Sequence, residues 1–346
     1  MPISLAHRLF PVLQLTRMAL VFTAIADSAA ALLLLAHARQ GSLGRLPVAH
    51  VVVVALISVG LYGFGMSLND IIDRRRDSQL AAHRPLPSGR IGVGTAHWIC
   101  AGLGVLALLA GAIYSRWTGQ WMSFALVVGT GLLIAFYDFA GKYLVALGLL
   151  TLGLIRFFHA VIPAPTLPLL WHPLFLLNHV TLLSVIAYAW EQKRPALTRG
   201  HWWGVLGGLF VVNGMLIAFV WWRRGQPLLG PNPTAQDVMN TAFAALRIEP
   251  GLLFPIVAAA GFATLAILMR RRYGPAREAG QALMLYGLLW LIVYDAAFVL
   301  GYIGPAPAMA LFALLPLAYG SVQLMRWWGR LMTLSQRPAF KRAGES

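Results

Sequence analysis

The feature that most constrains the fold is a series of apolar runs, each about 20 residues long, separated by short polar connections. A helix of that length matches the hydrocarbon core of a bilayer, which is about 30 Å thick. Charged residues make up 11% of the chain, less than half of the roughly 25% typical of soluble proteins. Because lipid cannot satisfy open backbone groups, we expect an all-α, polytopic integral membrane bundle.

We predict ten transmembrane helices, with nine as the alternative count. The predicted segments are 12–37, 47–69, 92–114, 121–137, 143–163, 168–190, 202–222, 251–270, 280–303 and 306–328. With the N-terminus in the cytoplasm, 20 of the 27 Lys and Arg residues fall on the cytoplasmic side and six fall outside. This bias fits the positive-inside rule, so both termini are expected in the cytoplasm. The membrane is expected to be the inner membrane of a bacterium.

The net charge of +16 is therefore assigned to membrane orientation and contact with the lipid bilayer, and we expect no nucleic-acid partner. A single domain over 1–346 is expected. Its site-bearing half covers about 10–200, its C-terminal helices about 201–330 and a basic tail 331–346. The segment 228–250 is too polar to span, but Thr234 and Asp237 form a helix-start pattern. It predicts a short interfacial helix on the outer face, with a plain connector as the alternative.

Three of the chain's 11 acidic residues fall within nine positions, at the mouth of the second apolar segment. Asn69, Asp73 and Asp77 are spaced by four, so on a helix they lie within about 80° of one another. Asp70 flanks this face. Hard oxygen ligands facing one way suit Mg²⁺, which shares its coordination shell with substrate phosphates. The alternative, a solvated loop whose arginines only set topology, explains Arg74 and its neighbours but not the aligned acids.

Three further polar groups fall on the same predicted side. A loop with two prolines and a glycine carries Arg84 and Arg90, which can face one phosphate. The next group is Tyr137 and Asp138 with Lys142, where the alternative for the lysine is a topology anchor. The last is Glu191, an acid at the end of its span, which is either a second metal ligand or a surface ion-pair partner.

Ionisable residues also occur inside the predicted spans. Arg156 lies at membrane depth, and Asp27 and Asp295 are its candidate partners. Such groups are costly in lipid and face either a cavity or a partner, so the alternative to a functional role is an ion pair that fixes helix packing.

These residues together resemble the UbiA-type membrane prenyltransferases. The family's Asn-Asp-x-x-Asp-x-x-x-Asp motif after the second span is matched in full by Asn69, Asp70, Asp73 and Asp77. Its other motifs are matched one by one. They are the Arg-Pro and Gly loop at Arg84, Pro85 and Gly89, the Arg of the first span at Arg17, and the Tyr and Lys after the fourth span at Tyr137 and Lys142.

The resemblance covers roughly 10–200, and one departure stands out. Family members carry a second Asp-rich motif after the sixth span, where this chain has only Glu191. That single Glu and the stretch from Thr23 to Asp27 look similar to a divergent branch, the EboC-like proteins.

The resemblance implies Mg²⁺-dependent transfer of an isoprenyl chain from an allylic diphosphate to a small aromatic acceptor. The roles it implies follow from what such chemistry needs. The metal would be bound by Asn69, Asp73 and Asp77, and the diphosphate by Arg17, Arg74, Arg84 and Lys142. A pocket for the cation and the acceptor would be formed by Tyr137, Asp138 and Arg156. Catalysis would involve Asp70, Asp73, Asp77 and Glu191, with Asp70 or Glu191 as the base.

Two other function classes stay open at this point. A non-catalytic isoprenoid-binding or transport-associated protein of the same fold is favoured by the missing second acidic motif. A secondary transporter would use Asp27, Arg156 and Asp295, but transporters place their main polar cluster near the membrane midplane rather than at its rim.

Overall fold

The computed structural model describes residues 2–41, 43–44, 46–82, 84–192, 195–225, 228–229, 233–274 and 277–335, with side chains from 9 to 329 within these ranges. Its regular elements are helices joined by short connections. In chain order they are α1 Pro2–Leu15, α2 Val21–Gln40, α3 Val48–Ile72, α4 Arg74–Leu80, α5 Val93–Thr118, α6 Trp121–Phe139, α7 Val145–Val161, α8 Trp171–Trp190, α9 Arg199–Arg224, α10 Ala235–Leu246, α11 Leu253–Tyr273, α12 Arg277–Tyr302, α13 Pro305–Phe312 and α14 Leu314–Ser335.

Nine helical segments of the described chain are long and apolar enough to cross a membrane. They are Met18–Gln40, Val48–Ile72, Val93–Thr118, Trp121–Phe139, Trp171–Trp190, Arg199–Arg224, Pro250–Tyr273, Arg277–Tyr302 and Pro305–Gly329. The remaining predicted span, 143–163, corresponds to α7, a shorter apolar helix of 17 residues. At about 1.5 Å per residue it is a few ångströms shorter than a hydrocarbon core of about 30 Å. The prediction of an all-α membrane bundle with nine or ten spans is confirmed.

The first span differs from its predicted bounds of 12–37. It begins at Met18, because the helix is interrupted between α1 and the short 3₁₀ turn Met18–Leu20 that leads into α2. At the break Arg17 adopts the left-handed conformation, with φ 47° and ψ 37°. The Thr16 hydroxyl donates a hydrogen bond to the Val12 carbonyl at 2.9 Å, which closes the end of α1. Arg17 therefore lies at a junction ahead of the span, where its side chain can reach a neighbouring helix.

Close backbone approach joins α3 to α5, the most extensively packed pair of helices. Gly60 of α3 faces the backbone of α5, where a Cβ would lie 2.7 Å from the Ala107 nitrogen and 2.8 Å from the Leu103 oxygen. Without a hydrophobic driving force between helices in lipid, such small-residue contacts supply much of the packing. The contact holds α3 in place, and with it the polar residues at its end.

A buried polar layer connects four of the helices. Arg156 of α7 lies 3.0 Å from the Asp27 carboxylate of α2 and also hydrogen-bonds Thr23. His172 of α8 bonds the Asp295 carboxylate of α12 at 2.8 Å. The expectation that Arg156 pairs within the membrane is confirmed with Asp27 as its partner, whereas Asp295 pairs with the histidine. These contacts join α2 to α7 and α8 to α12.

The helix predicted within 228–250 is confirmed as α10, and its interfacial position on the outer face stays a prediction. Thr234 and Asp237 form a reciprocal capping box, in which the Asp237 amide donates to the Thr234 hydroxyl at 3.2 Å and the Thr234 amide donates to the Asp237 carboxylate at 2.9 Å. The hydrogen bonds from Thr234 lower the pKa of the Asp237 carboxyl below its usual range, because they favour its ionised form. The basic tail predicted at 331–346 lies outside the described residues from 336 onward.

Replacing Gly60 with Ala tests the close contact between α3 and α5. We expect the Gly60→Ala variant to lose about 1–3 kcal/mol of stability, because the clash is with backbone atoms that cannot rotate away. The midpoint of thermal unfolding in detergent measures this loss. The matched control is Gly102→Ala on α5, where nothing lies within 4 Å of the new Cβ. A loss in the control as large as in Gly60→Ala would contradict the proposed packing.

Candidate functional site

The acidic cluster lies where α3 continues into α4 almost without interruption. The Asp73 amide donates to the Asn69 carbonyl at 2.9 Å, and the Asp77 amide donates to the Asp73 carbonyl at 2.8 Å. This helical spacing keeps the cluster on one side of the chain. Asp70, Asp73 and Asp77 are only 5%, 5% and 4% exposed. Three carboxylates are therefore withdrawn from water together, which requires positive charge beside them.

The first set of compensating charges surrounds Asp70 and Asp77. These two acids are seven residues apart, about two helical turns, so they share a face. Arg84 donates a hydrogen bond to Asp77, and the same Nη1 atom lies 3.7 Å from Asp70. Arg17 approaches Asp70 from the other side at 3.3 Å. Both carboxylates thus converge on a single guanidinium nitrogen.

The second set surrounds Asp73. The ammonium group of Lys142, in the 3₁₀ turn Gly141–Tyr143, lies 2.8 Å from Asp73 and 3.8 Å from Asp138. Asn69 donates a hydrogen bond to Asp138 at 2.8 Å, and Arg76 adds an exposed ion pair to Asp73 at 2.9 Å. The sequence analysis placed Asn69, Asp73 and Asp77 on one face with Asp70 at its flank. The side chains instead divide into Asp70 with Asp77 and Asn69 with Asp73.

A cavity of about 340 Å³ opens beside Asp70. Its polar lining is Gln14, Arg17, Asp70, Arg84, Arg90 and Arg326, and its apolar lining includes Leu13, Leu20, Leu285, Val322 and Met325. Arg90 is oriented by a hydrogen bond of 2.9 Å to the Gln14 amide oxygen. The cavity combines four guanidinium groups with an apolar wall.

Arg326 was missed by the sequence analysis as a site residue. It lies on α14, far along the chain from the acidic motif, and only its place in the charge count put it on the same side.

The remaining predicted residues lie around this centre in different ways. Tyr137 on α6 is half-buried, within electrostatic range of Asp73 and Arg17. Arg74 begins α4 and is absent from the ion pairs that the described carboxylates form. Arg156 pairs with Asp27 instead of the acidic cluster.

The segment 19–165 matches the sequence profile of the UbiA prenyltransferase family. The matched segment contains the whole acidic motif, Arg84 and the turn with Lys142.

Over residues 19–165 the chain is similar to the UbiA prenyltransferase family. The predicted resemblance is thereby confirmed, and the family it names is one of prenyltransferases. The cavity combines residues of the matched segment with Arg17 and Arg326, which lie outside it. Glu191 also lies outside the matched segment. The finer resemblance to the EboC-like branch stays a prediction.

One solved structure with a TM-score above 0.5 supports the same fold. A structure of a digeranylgeranylglyceryl phosphate synthase is similar over 86% of this chain and 99% of its own, with 16% identity and a TM-score of 0.55. A UbiA homologue from Archaeoglobus fulgidus matches over 84% of this chain and 99% of its own, with 12% identity and a TM-score of 0.49. The same homologue bound to GPP and Mg²⁺ matches over 83% and 99%, with 12% identity and a TM-score of 0.49. No curated protein matches the chain significantly.

Glu191, the single acid in place of the family's second motif, lies at the end of α8. It packs against α12, where its Cγ atom lies 2.6 Å from the position of a Cβ on Gly280. Among the described residues that line the cavity, Asp70 is the carboxylate, and Glu191 is not included. The described side chains contain no group of three or more His, Cys, Asp or Glu arranged to hold a metal ion. A metal at this site would therefore draw part of its shell from a substrate.

Lys142 is tested by removing its charge. We expect Lys142→Met to cost about 3 kcal/mol or more, because it leaves Asp73 and Asp138 buried without their shared cation. Thermal unfolding in detergent measures the effect, and adding Asp73→Asn to this variant is expected to restore part of the loss.

The matched control for Lys142 pairs with the same carboxylate. The side chain of Lys142 is 9% exposed and that of Arg76 is 59% exposed. Arg76→Met is therefore expected to change stability by less than about 1 kcal/mol, since an exposed pair is screened by water. Equal losses in the two single variants would show that burial of the Lys142 pair is not what stabilises the cluster.

Proposed function

We propose that the chain transfers an isoprenyl group from an allylic diphosphate to a small, aromatic acceptor at the membrane, in an Mg²⁺-dependent reaction. The observation that carries the proposal is the composition of the cavity beside Asp70. Arg17, Arg84, Arg90 and Arg326 supply charge-assisted donors suited to a diphosphate. The apolar wall is suited to the hydrocarbon chain attached to it.

The acidic cluster fits a hard divalent cation. Asp70 and Asp77 converge on one nitrogen of Arg84, so their carboxylates already face a common positive centre. Mg²⁺ needs only one or two carboxylates when substrate phosphates and water complete its octahedral shell. Asp70 and Asp77 would hold it, and Asn69 and Asp73 of the predicted ligand set lie on the adjoining face. When bound, the ion neutralises charge on the diphosphate leaving group.

The protein's own residues would then direct the chemistry. Arg17 and Arg84 would bind the phosphate oxygens and stabilise the charge that develops as the allylic C–O bond breaks. The apolar helices would exclude water, which would otherwise capture the carbocation. The ring of Tyr137 is the predicted aromatic face for that cation. Asp70, the carboxylate in the cavity lining, is the candidate base for the acceptor's proton, with Glu191 as the alternative.

The proposal also includes the domain organisation of the chain and its orientation in the membrane. We infer one prenyltransferase domain, with its N-terminus and acidic cluster at the cytoplasmic face of a bacterial inner membrane. The uneven distribution of Lys and Arg supports that orientation.

The second candidate function is a non-catalytic protein that binds isoprenyl diphosphates. It is favoured by the position of Glu191, which packs against Gly280 rather than lining the cavity. The two candidates differ in whether diphosphate is released, so one experiment separates them. Purified protein is incubated with Mg²⁺ and a panel of allylic diphosphates, with and without aromatic acceptors, and released diphosphate is measured. Saturable binding without release would select the non-catalytic function.

Replacing Asp77 with Asn tests the metal-binding role. We expect a loss of transfer rate of about 100-fold or more, because Asn lacks the charge that balances Mg²⁺ and phosphate. Chelation of Mg²⁺ in the unmodified protein should have a similar effect. The control is Arg75→Gln, an exposed position on the same short helix, which should retain the rate. Full activity of Asp77→Asn would exclude this carboxylate from metal binding.

Replacing Arg326 with Gln tests whether α14 completes the site. We expect KM for the diphosphate to rise about tenfold with a smaller change in kcat, because one charge-assisted contact to phosphate is lost. Arg271→Gln, an exposed arginine at the end of α11, is the charge-matched control and should leave KM unchanged. If both variants behave alike, Arg326 contributes only to the general positive potential of this face.

A further inference from the structure

A second basic cavity lies at the end of the bundle opposite the acidic cluster. It has a volume of about 370 Å³ and lies between the ends of α2, α9 and α10. Three arginines line it, Arg39, Arg224 and Arg247, one from each helix end. By the sequence count only six Lys and Arg residues belong to this side, and half of them gather here. General membrane topology does not require such a concentration.

The backbone around the cavity is held in place by specific hydrogen bonds. Arg224 donates to the carbonyl of Thr166 at 2.8 Å and to that of Leu167, which anchors the preceding loop. The end of α10 is fixed by two ring donors. Trp171 donates from Nε1 to the Leu246 carbonyl at 2.7 Å, and the Tyr302 hydroxyl donates to the Arg247 carbonyl at 3.2 Å.

Arg247 itself has a left-handed backbone, with φ 50°. That conformation is unfavourable for a residue with a side chain, and it turns Arg247 away from the continuing helix direction. Such strain persists only where surrounding contacts impose it, and it often accompanies a functional position. Here the hydrogen bonds at the end of α10 impose it, and in this conformation Arg247 lines the cavity.

Among the described residues, no Asp or Glu lines this cavity, and the ion pairs include none of its three arginines. Arg224 lies within range of repulsion from Arg223 and Arg247. Arg39 faces Gln120, whose amide oxygen accepts from both terminal nitrogens at 2.9 and 3.1 Å in the orientation that satisfies both residues. An amide neutralises no charge, so the cavity favours an anion.

The surroundings indicate which anion. Leu35 and Leu228 supply apolar lining, and the neighbouring α10 exposes Met239 and Phe243. An amphipathic helix of this kind lies at the boundary between headgroups and acyl chains. The site therefore offers positive charge at headgroup depth with apolar surface directly beside it.

We propose that the cavity formed by Arg39, Arg224 and Arg247 binds the phosphate of an anionic phospholipid in the leaflet opposite the acidic cluster. The guanidinium groups would contact the phosphate, and the apolar lining with α10 would contact the start of the acyl chains. This site is independent of the proposed transfer reaction and of the cavity beside Asp70.

The full-length protein in detergent is titrated with dioleoylphosphatidylglycerol, and bound lipid is counted by native mass spectrometry. Dioleoylphosphatidylcholine and inorganic phosphate are titrated in separate arms, with the midpoint of thermal unfolding as a second readout. We expect Arg39→Gln with Arg247→Gln to weaken phosphatidylglycerol binding by about tenfold or more, because two charge-assisted contacts are lost. The matched double control is Arg116→Gln with Arg223→Gln, two arginines at the same end that do not line this cavity among its described residues.

Binding that is specific to phosphatidylglycerol, retained in the control and weakened in the cavity variant, supports the proposal. Equal affinity of the unmodified protein and the cavity variant would overturn it, as would an equal loss in the control. Protection by inorganic phosphate but not by phosphatidylglycerol would overturn the lipid as occupant. The size-exclusion profile of each variant shows whether it is folded.

Discussion

A charge or a backbone polar group inside hydrocarbon must be compensated within the protein, and the rest of this structure depends on that requirement. It makes the chain helical, because only helices satisfy the backbone of these separate apolar segments internally. It also places Arg156 against Asp27 and His172 against Asp295, so that α2, α7, α8 and α12 are joined through buried polar contacts. The same requirement surrounds the acidic cluster with Arg17, Arg84 and Lys142.

The candidate site follows from how that compensation is arranged. In the acidic cluster each of the buried carboxylates Asp70, Asp73 and Asp77 pairs with a cation that is itself suited to phosphate. At the opposite end, three arginines gather around one cavity with no acid in its described lining. The two ends of the bundle thus differ in kind. One carries carboxylates paired with cations, and the other a positive site that favours an anion.

Much of the architecture could be predicted because apolar length and motif spacing are local properties of the chain. The spans and the helix α10 follow from them, as does the family resemblance. The break before Met18 was not predicted, since Arg17 adopts a left-handed backbone that no local pattern at 12–37 signals. The division of the acids into Asp70 with Asp77 and Asn69 with Asp73 was also missed. Helical angles place Asp70 about 20° from Asp77, but they place Asp73 about 40° from both Asn69 and Asp77, so the positions of Arg84 and Lys142 decide the grouping.

The sequence by itself determined that this protein is a helical membrane bundle with an acidic motif that resembles the UbiA family, because hydropathy and motif spacing can be read without three-dimensional information. Only the tertiary structure decided which partners each charge takes. Arg326 reaches the cavity of Asp70 from the last described helix, Glu191 packs against Gly280, and Arg39 meets Arg224 and Arg247 across three helix ends. The physical reason is that such contacts join residues far apart in the chain, and helix packing alone brings them within reach.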